Sequence, residues 1–386
     1  MARRDRLNRH PDPDPTRTRT RTLSRPATFR SRMRILLVAY PLAPVSPDPV
    51  GGSEQVLAQL DRALNAAGHR TTIIAQAGST TVGRLHSIPA EPGPIDEPMR
   101  HRAHHAMRAA IAAQAPHHDL VHMHGLDFEA YWPPEGPPTL ATLHLPLDWY
   151  SWTSLNPTRP NTWLNPVSTS QCARAPWAPP HLLAPVRNGV DVNRYGPMRS
   201  RNYLLFLGRM CPEKGAEIAL DAARAAGARL LLAGELYPYP EHQAWFAERI
   251  APRLGPRARW LGPVTGPAKA RLLGGARAVL VPSTVAETGS LVTMEALASG
   301  APVLGSDLGE IPNLIEPGVT GFTVTPGDAR AMAHAIARIA ELDRAAARAS
   351  ALRRMRVENT SDAYLALYRD LIARAARPVA RAAAAR

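Results

Sequence analysis

Apolar residues in this chain come in short bursts separated by longer amphipathic stretches. The first burst, Met33–Ala39 (MRILLVA), is short and β-favouring, the mark of a strand buried on both faces. A Pro-rich loop ending in Gly51-Gly52-Ser53 leads into Glu54–Ala67, where Val56, Leu57, Leu60 and Leu64 share one helical face. Gly68 suits the position just past a helix. Thr71–Ala75 (TTIIA) reads as the next strand, Met99–Ala115 as a basic helix, and Leu120–Met123 and Leu140–Leu143 as further strands. Past residue 187 the alternation restarts. Tyr203–Leu207, Arg229–Ala233, Ala278–Val281 and Pro302–Gly305 read as strands, and Ala216–Ala226, Leu291–Ala298, 328–346 and 361–376 as helices. Strand–helix alternation repeated in this way predicts two doubly wound, Rossmann-like α/β domains facing across a cleft, over 34–187 and 188–360. The helix at 361–376 follows, and tails are expected at 1–33 and 377–386.

A length of 386 residues fits two domains, and 45% hydrophobic residues fill two cores. No apolar run approaches the ~20 residues of a membrane span. Residues 1–33 have the Arg, Pro and Thr of a disordered tail without the apolar segment of a signal peptide. Cys172 and Cys211 are the only cysteines, too few for a disulfide framework, and a reduced, cytoplasmic setting is expected. The net charge of +14 raises the prospect of nucleic acid, but its distribution argues against a specific interaction. Eleven Arg and three Asp lie in residues 1–34, and four Arg with no acid in 371–386, so the body between is nearly neutral.

Candidate chemistry lies in the second half. Gly208-Arg209-Met210-Cys211-Pro212-Glu213-Lys214-Gly215 follows a strand and opens a helix. A cation near a helix N-terminus is disfavoured by the macrodipole, and an anion between Arg209 and Lys214 would reverse that penalty. The alternative is a surface Arg and Lys beside a turn. In ETGSLVTMEALASGAPV (287–303), Glu287 sits on a loop, while Gly289, Ser290 and Leu291 open a helix whose first N–H groups lack intrahelical partners. Glu295 lies among Leu291, Val292, Met294 and Leu297, where a buried carboxylate needs donors. The hydroxyls of a ribose would supply them; an internal partner is the alternative. In the first half, His144 ends a strand at the mouth of the expected cleft, after the histidines of DLVHMHG (119–125), and Gly51-Gly52 can approach an anion at a helix start. Trp149 and Tyr150 could stack on an acceptor or pack between domains. No Cys/His cluster has zinc spacing, and Asp12 and Asp14 sit in the tail, so no metal or cofactor is expected.

In order, GGSEQVLAQLDRALNAAGH, DLVHMHG, VRNGVDVNRY, GRMCPEKG, VPSTVAETGSLVTMEALASGAPV and EPGVTGF resemble family 4 of the retaining glycosyltransferases, with the GT-B fold, over residues 34–376. The resemblance implies that Arg209 and Lys214 hold a donor diphosphate and Glu295 a ribose. Glu287 and the backbone of Gly289, Ser290 and Leu291 would hold the donor sugar. His144 would lie near its C6 hydroxyl, Gly52 near donor phosphate and acceptor, and the final helix would brace the first domain. It further implies a metal-independent reaction that retains the anomeric configuration. Two departures stand out. Gly289-Ser290 occupies positions where the family usually has an aromatic and Gly, and the run Leu308–Asn313 (LGEIPN) displaces a carboxylate, so no role is carried onto Glu310 or Asn313.

The expected function is therefore transfer of a sugar from a UDP-, GDP- or other nucleotide-sugar donor to a hydroxyl acceptor, which would be a sugar, a lipid-linked sugar or a small molecule. The alternatives are an epimerase or hydrolase of nucleotide sugars on the same fold, or a non-catalytic basic protein bound to nucleic acid or membrane. Met99–Ala115, with Arg100, Arg102 and Arg108, offers weak peripheral contact with the inner face of a membrane. Its apolar residues are mostly Ala, which favours a solvated helix.

Overall fold

The computed structural model describes residues 32–90, 92–133, 135–175 and 177–377. The tails expected at 1–33 and 377–386 lie outside these residues, apart from 32, 33 and 377.

Among the described residues, twelve strands form two parallel sheets. The first contains β1 (Arg34–Val38), β2 (Arg70–Gln76), β3 (Arg84–Ile88), β4 (Leu120–Met123), β5 (Thr139–Leu143) and β6 (Thr162–Pro166), in the order β3-β2-β1-β4-β5-β6. The second contains β7 (Leu204–Leu207), β8 (Leu230–Ala233), β9 (Ala258–Trp260), β10 (Val279–Val281), β11 (Val303–Ser306) and β12 (Gly321–Val324), in the order β12-β11-β10-β7-β8-β9. Each follows the doubly wound pattern, with its chain direction switching beside its first strand, between β1 and β4 and between β7 and β10.

The helices of the first half are α1 (Gly52–Ala66), α2 (Glu97–Gln114), α3 (Trp152–Leu155) and α4 (Thr169–Ala173). Then come α5 (Ala216–Ala225), α6 (Pro240–Trp245), α7 (Gly266–Gly275), α8 (Leu291–Ala298), α9 (Ile311–Leu314), α10 (Ala329–Ala337), α11 (Arg344–Arg354) and α12 (Val357–Ala376). Among the described residues, no helix is long and apolar enough to cross a membrane.

Alternation along β1 explains the layering. Ile35 and Leu37 pack into a core that includes Leu57, Leu60 and Leu64 of α1 and Tyr364, Tyr368 and Leu371 of α12. Leu36 and Val38 face the opposite core with Met107 and Ile111 of α2. So the last helix, which starts after the second sheet is complete, closes one face of the first. It begins at Val357, earlier than the pattern predicts. The stretch 328–346, read as one helix, is two. Asp343 adopts an extended conformation and its carboxylate accepts from Ala345 N and Ala346 N, starting α11 afresh. On α2, His104 Nε2 lies 2.6 Å from Asp127 and Arg108 donates to the Ala130 carbonyl at 2.6 Å. Part of the polar face offered to a membrane is thus engaged by the protein itself.

Candidate functional site

The carboxyl ends of β1, β4, β7 and β10 lead into one cleft between the two sheets. Its walls include Gly51, Gly52, His144, Trp149, Arg209, Lys214, Glu287, Gly289, Ser290, Leu291 and Glu295. The sequence-predicted residues from both halves therefore meet, with one exception. Tyr150 is only 7% exposed. Its hydroxyl accepts from Leu145 N at 3.2 Å and its ring packs 5.6 Å from Phe128. It is a core residue of the first half, and its expected acceptor contact is corrected to packing, because the turn at Leu147–Trp149 sends consecutive rings to opposite sides. Trp149 remains 48% exposed on the cleft wall.

Two helices aim their N-termini into this space. Gly52 is the first residue of α1 and Leu291 the first of α8, and a methyl on Gly52 would touch Leu291 Cδ1 at 3.6 Å. Their unpaired N–H groups and aligned dipoles put positive potential at one point. Gly289 lets the linker between the halves close in, since a Cβ there would meet Asn188 Nδ2 at 2.8 Å. Asn188 Oδ1 is buried with no hydrogen-bond partner, a polar atom on the cleft wall awaiting a donor.

The cations and acids are arranged in pairs. Lys214 Nζ lies 2.6 Å from Glu287 Oε1, and Ser283 Oγ donates to the same oxygen at 2.5 Å. Burial pushes the Glu287 carboxyl up; Lys214, Ser283 and Arg209 together outweigh it and hold the carboxyl below its ordinary range. Glu295, 2% exposed, accepts on Oε1 from Lys269 Nζ at 2.7 Å, Gln55 Nε2 at 2.7 Å and Tyr195 Oη at 2.8 Å. Arg209 Nη2 is 3.3 Å from Glu213, and at 35% side-chain exposure it is more open than Lys214 at 24% or Lys269 at 10%. The counter-charge that the sequence leaves to a ligand is thus partly internal: Glu287 offsets Lys214, and three protein donors converge on one oxygen, Oε1, of Glu295. Arg209 keeps the guanidinium most available to an incoming anion.

His144 lies on the cleft wall with His124 Nδ1 3.2 Å from its Nε2. Burial keeps its imidazole neutral, with the pKa lowered to about 4. Its backbone oxygen accepts from Thr288 Oγ1 at 2.9 Å, tying the halves together. Gln55 to Glu295, Ser170 Oγ to Glu310 at 2.5 Å, and Tyr40 to Tyr239 at 3.2 Å make further ties. Glu310 is therefore a bridge between the halves. Glu54, 5% exposed beneath Gly51, lines the cleft with its carboxyl pushed up by burial.

Lys269, Gln55, Tyr195, Ser283, Glu54 and Asn188 are absent from the residues singled out by sequence. One signal points to Lys269. Of 46 Lys and Arg, only Lys214 and Lys269 are lysines, and each pairs with one of the two cleft glutamates. In a chain that uses Arg everywhere else, the two compact ammonium groups each meet a cleft carboxylate through a single oxygen.

Two family models match the two halves: Glycosyltransferase Family 4 over residues 50–194 and Glycosyl transferases group 1 over 201–341. The chain belongs to glycosyltransferase family 4. Among similar proteins, D-inositol 3-phosphate glycosyltransferase of Mycobacterium avium (strain 104) is 31% identical over 220 residues, 50% of this chain and 51% of the relative. The chain thus spans about half the length of the curated relatives it matches. Among solved structures, AviGT4, a glycosyltransferase involved in avilamycin A biosynthesis, is 26% identical with a TM-score of 0.65, covering 88% of this chain and 98% of that one. HepE of Anabaena, solved with UDP-glucose, is 19% identical with a TM-score of 0.70, covering 88% of this chain and 100% of that one; it shares the fold. This family 4 chain therefore has the GT-B architecture, and the paired lysines and glutamates lie in its inter-domain cleft.

Proposed function

We propose that this chain transfers a glycosyl unit from a nucleoside-diphosphate sugar to a hydroxyl acceptor, with retention of anomeric configuration and without a metal ion. The single observation that carries the reading is the convergence of Arg209, Lys214 and the N-termini of α1 and α8 on one cleft. Such a cluster is suited to the two negative charges of a diphosphate. The complexes of HepE with UDP and UDP-glucose agree with this class of donor, and the name of the mycobacterial relatives agrees with glycosyl transfer.

In this reading Glu295, oriented by Lys269, Gln55 and Tyr195, meets the ribose hydroxyls. Glu287 and the backbone at Gly289–Leu291 hold the transferred sugar, beside His144 and the unpartnered Asn188 Oδ1. The bond from the anomeric carbon to the diphosphate oxygen breaks while the acceptor oxygen bonds to the same face. The acceptor's proton passes to the departing phosphate, whose charge is met by Arg209, Lys214 and the helix termini in place of a metal. A UDP-, GDP-, ADP- and TDP-sugar panel with simple sugar and polyol acceptors tests this. The expected result is a glycosylated product with the donor's anomeric configuration, formed equally well with EDTA. Free sugar alone would mean a hydrolase, an isomerised nucleotide sugar an epimerase, and an inverted or EDTA-sensitive product a different reaction.

A further inference from the structure

Behind His144 runs a buried chain of polar side chains that ends on α12. His144 Nε2 is 3.2 Å from His124 Nδ1, and His124 Nε2 is 3.2 Å from His122 Nδ1. His122 Nε2 is 2.7 Å from Thr142 Oγ1, and Tyr368 Oη is 2.6 Å from His122 Nδ1. Thr142 Oγ1 is 2.8 Å from Asn165 Oδ1 and 2.9 Å from Tyr364 Oη, and Asn165 Nδ2 donates to the Pro166 carbonyl at 3.2 Å. His122 and His124 are at most 1% exposed, and Thr142 and Asn165 are fully buried.

The direction of every bond follows from groups that have no choice. A backbone carbonyl only accepts, so Asn165 presents its amide nitrogen to Pro166 and its oxygen to Thr142. That oxygen only accepts, so the single Thr142 proton goes to it. Thr142 has then no proton left for His122, whose Nε2 must be the donor. A neutral imidazole carries one N–H, so His122 Nδ1 is an acceptor, and its one in-plane lone pair is filled by the Tyr368 hydroxyl. His124 meets the His122 ring at a tilt of 47° with centroids 4.0 Å apart, and the electron-rich ring takes an N–H and repels a lone pair, so His124 donates from Nε2. Its Nδ1 accepts, and His144 must donate from Nε2.

We propose that His122, His124, Thr142 and Asn165 are positioning residues that lock His144 in the Nε2–H tautomer, and that Tyr364 and Tyr368 anchor this lock to α12. The lock leaves His144 Nδ1 as an acceptor, matched to a hydroxyl that donates rather than to an acceptor oxygen. It also makes the last helix, which follows the second half in sequence, part of the organisation of a first-half cleft residue.

The inference builds on the proposed function only in taking His144 to face substrate, and its test needs no substrate. Long-range proton–nitrogen spectra of the full chain with ring-labelled histidine, at neutral pH, report which nitrogen carries the proton. His144→Gln identifies the His144 signals. The expected result is a single Nε2–H form of His144, replaced in Thr142→Val by a mixture of tautomers and restored in Thr142→Ser. An Nδ1–H form or a mixture in the unsubstituted protein overturns the lock, and so does a folded Thr142→Val with an unchanged His144 tautomer. Should Thr142→Val not fold, the unsubstituted spectrum decides alone. A locked tautomer in a protein that turns over no nucleotide sugar would leave the lock standing and remove only the proposed reaction.

Discussion

Glu54 and Glu287 show how two carboxylates in one cleft acquire opposite character. Glu287 has an ammonium at 2.6 Å and a hydroxyl on the same oxygen, so its charged form is stabilised. Glu54 has Ser53 Oγ at 3.0 Å and, among the described residues, no ion pair; burial outweighs the Ser53 hydroxyl and the charge of Arg209 and favours its neutral form. A raised carboxyl pKa means that the folded state holds more protons than the unfolded state once pH exceeds the ordinary carboxylate range. Stability therefore falls as pH rises through that window. Glu54→Gln removes the penalty, and we expect its melting temperature to exceed that of the unsubstituted protein at pH 7–8 and to match it near pH 4. An equal or lower melting temperature at pH 8 would contradict this. Legibility at this scale was partial. Glu287, Glu295, Arg209, Lys214 and His144 stand out because charged or titratable groups beside strand ends and helix starts are conspicuous. Their partners Gln55, Tyr195 and Ser283 are ordinary residues, 240, 100 and 4 positions from their carboxylates, and only the fold brings the distant ones close.

At the level of elements, the sequence shows every inner strand and none of the edges. The four strands without a clear signal are β3, β6, β9 and β12, which are the outermost strands of the two sheets. Inner strands of parallel sheets are covered on both faces and read as continuous apolar runs. Three edge strands are partly exposed, as the mixed burial along Arg84–Ile88, Ala258–Trp260 and Gly321–Val324 shows, so their sequences approach those of loops; β6 is buried, but Asn165 and Pro166 interrupt its apolar run. The turn that carries Lys214 closes at Gly215, whose φ is +74°, with a Cβ there only 2.0 Å from the Pro282 carbonyl oxygen. Gly227 has a similar φ of +63° with open space around it, so it isolates the backbone cost, about 1–2 kcal/mol for an L-residue. Gly215→Ala adds a collision with fixed backbone. We expect it to lose at least about 2 kcal/mol more than Gly227→Ala in urea denaturation, together with the affinity that depends on Lys214. Equal losses in the two variants would show that the turn moves aside freely.

Across the whole molecule, the two halves are held over the cleft by α12, by the linker near Asn188 and by hydrogen bonds between side chains of opposite walls. The doubly wound order of each sheet was legible from strand–helix alternation, because it is a consequence of layer packing. A cleft between the halves was expected from the restart of the alternation after residue 187, but the side chains that meet across it were not, since no local pattern encodes which loops meet. What the assembled cleft does with charge is the central claim: it takes an anionic diphosphate, with Arg209 as its most open cation. Isothermal titration of nucleoside-diphosphate sugars into the unsubstituted chain and Arg209→Ala tests this most directly. At least one UDP, GDP, ADP or TDP sugar should bind with measurable heat. Arg209→Ala should weaken it about 10–100-fold, the loss of one charge-assisted contact of ~1.5–3 kcal/mol. Absence of heat with all four classes, or equal affinity in the variant, would contradict the account.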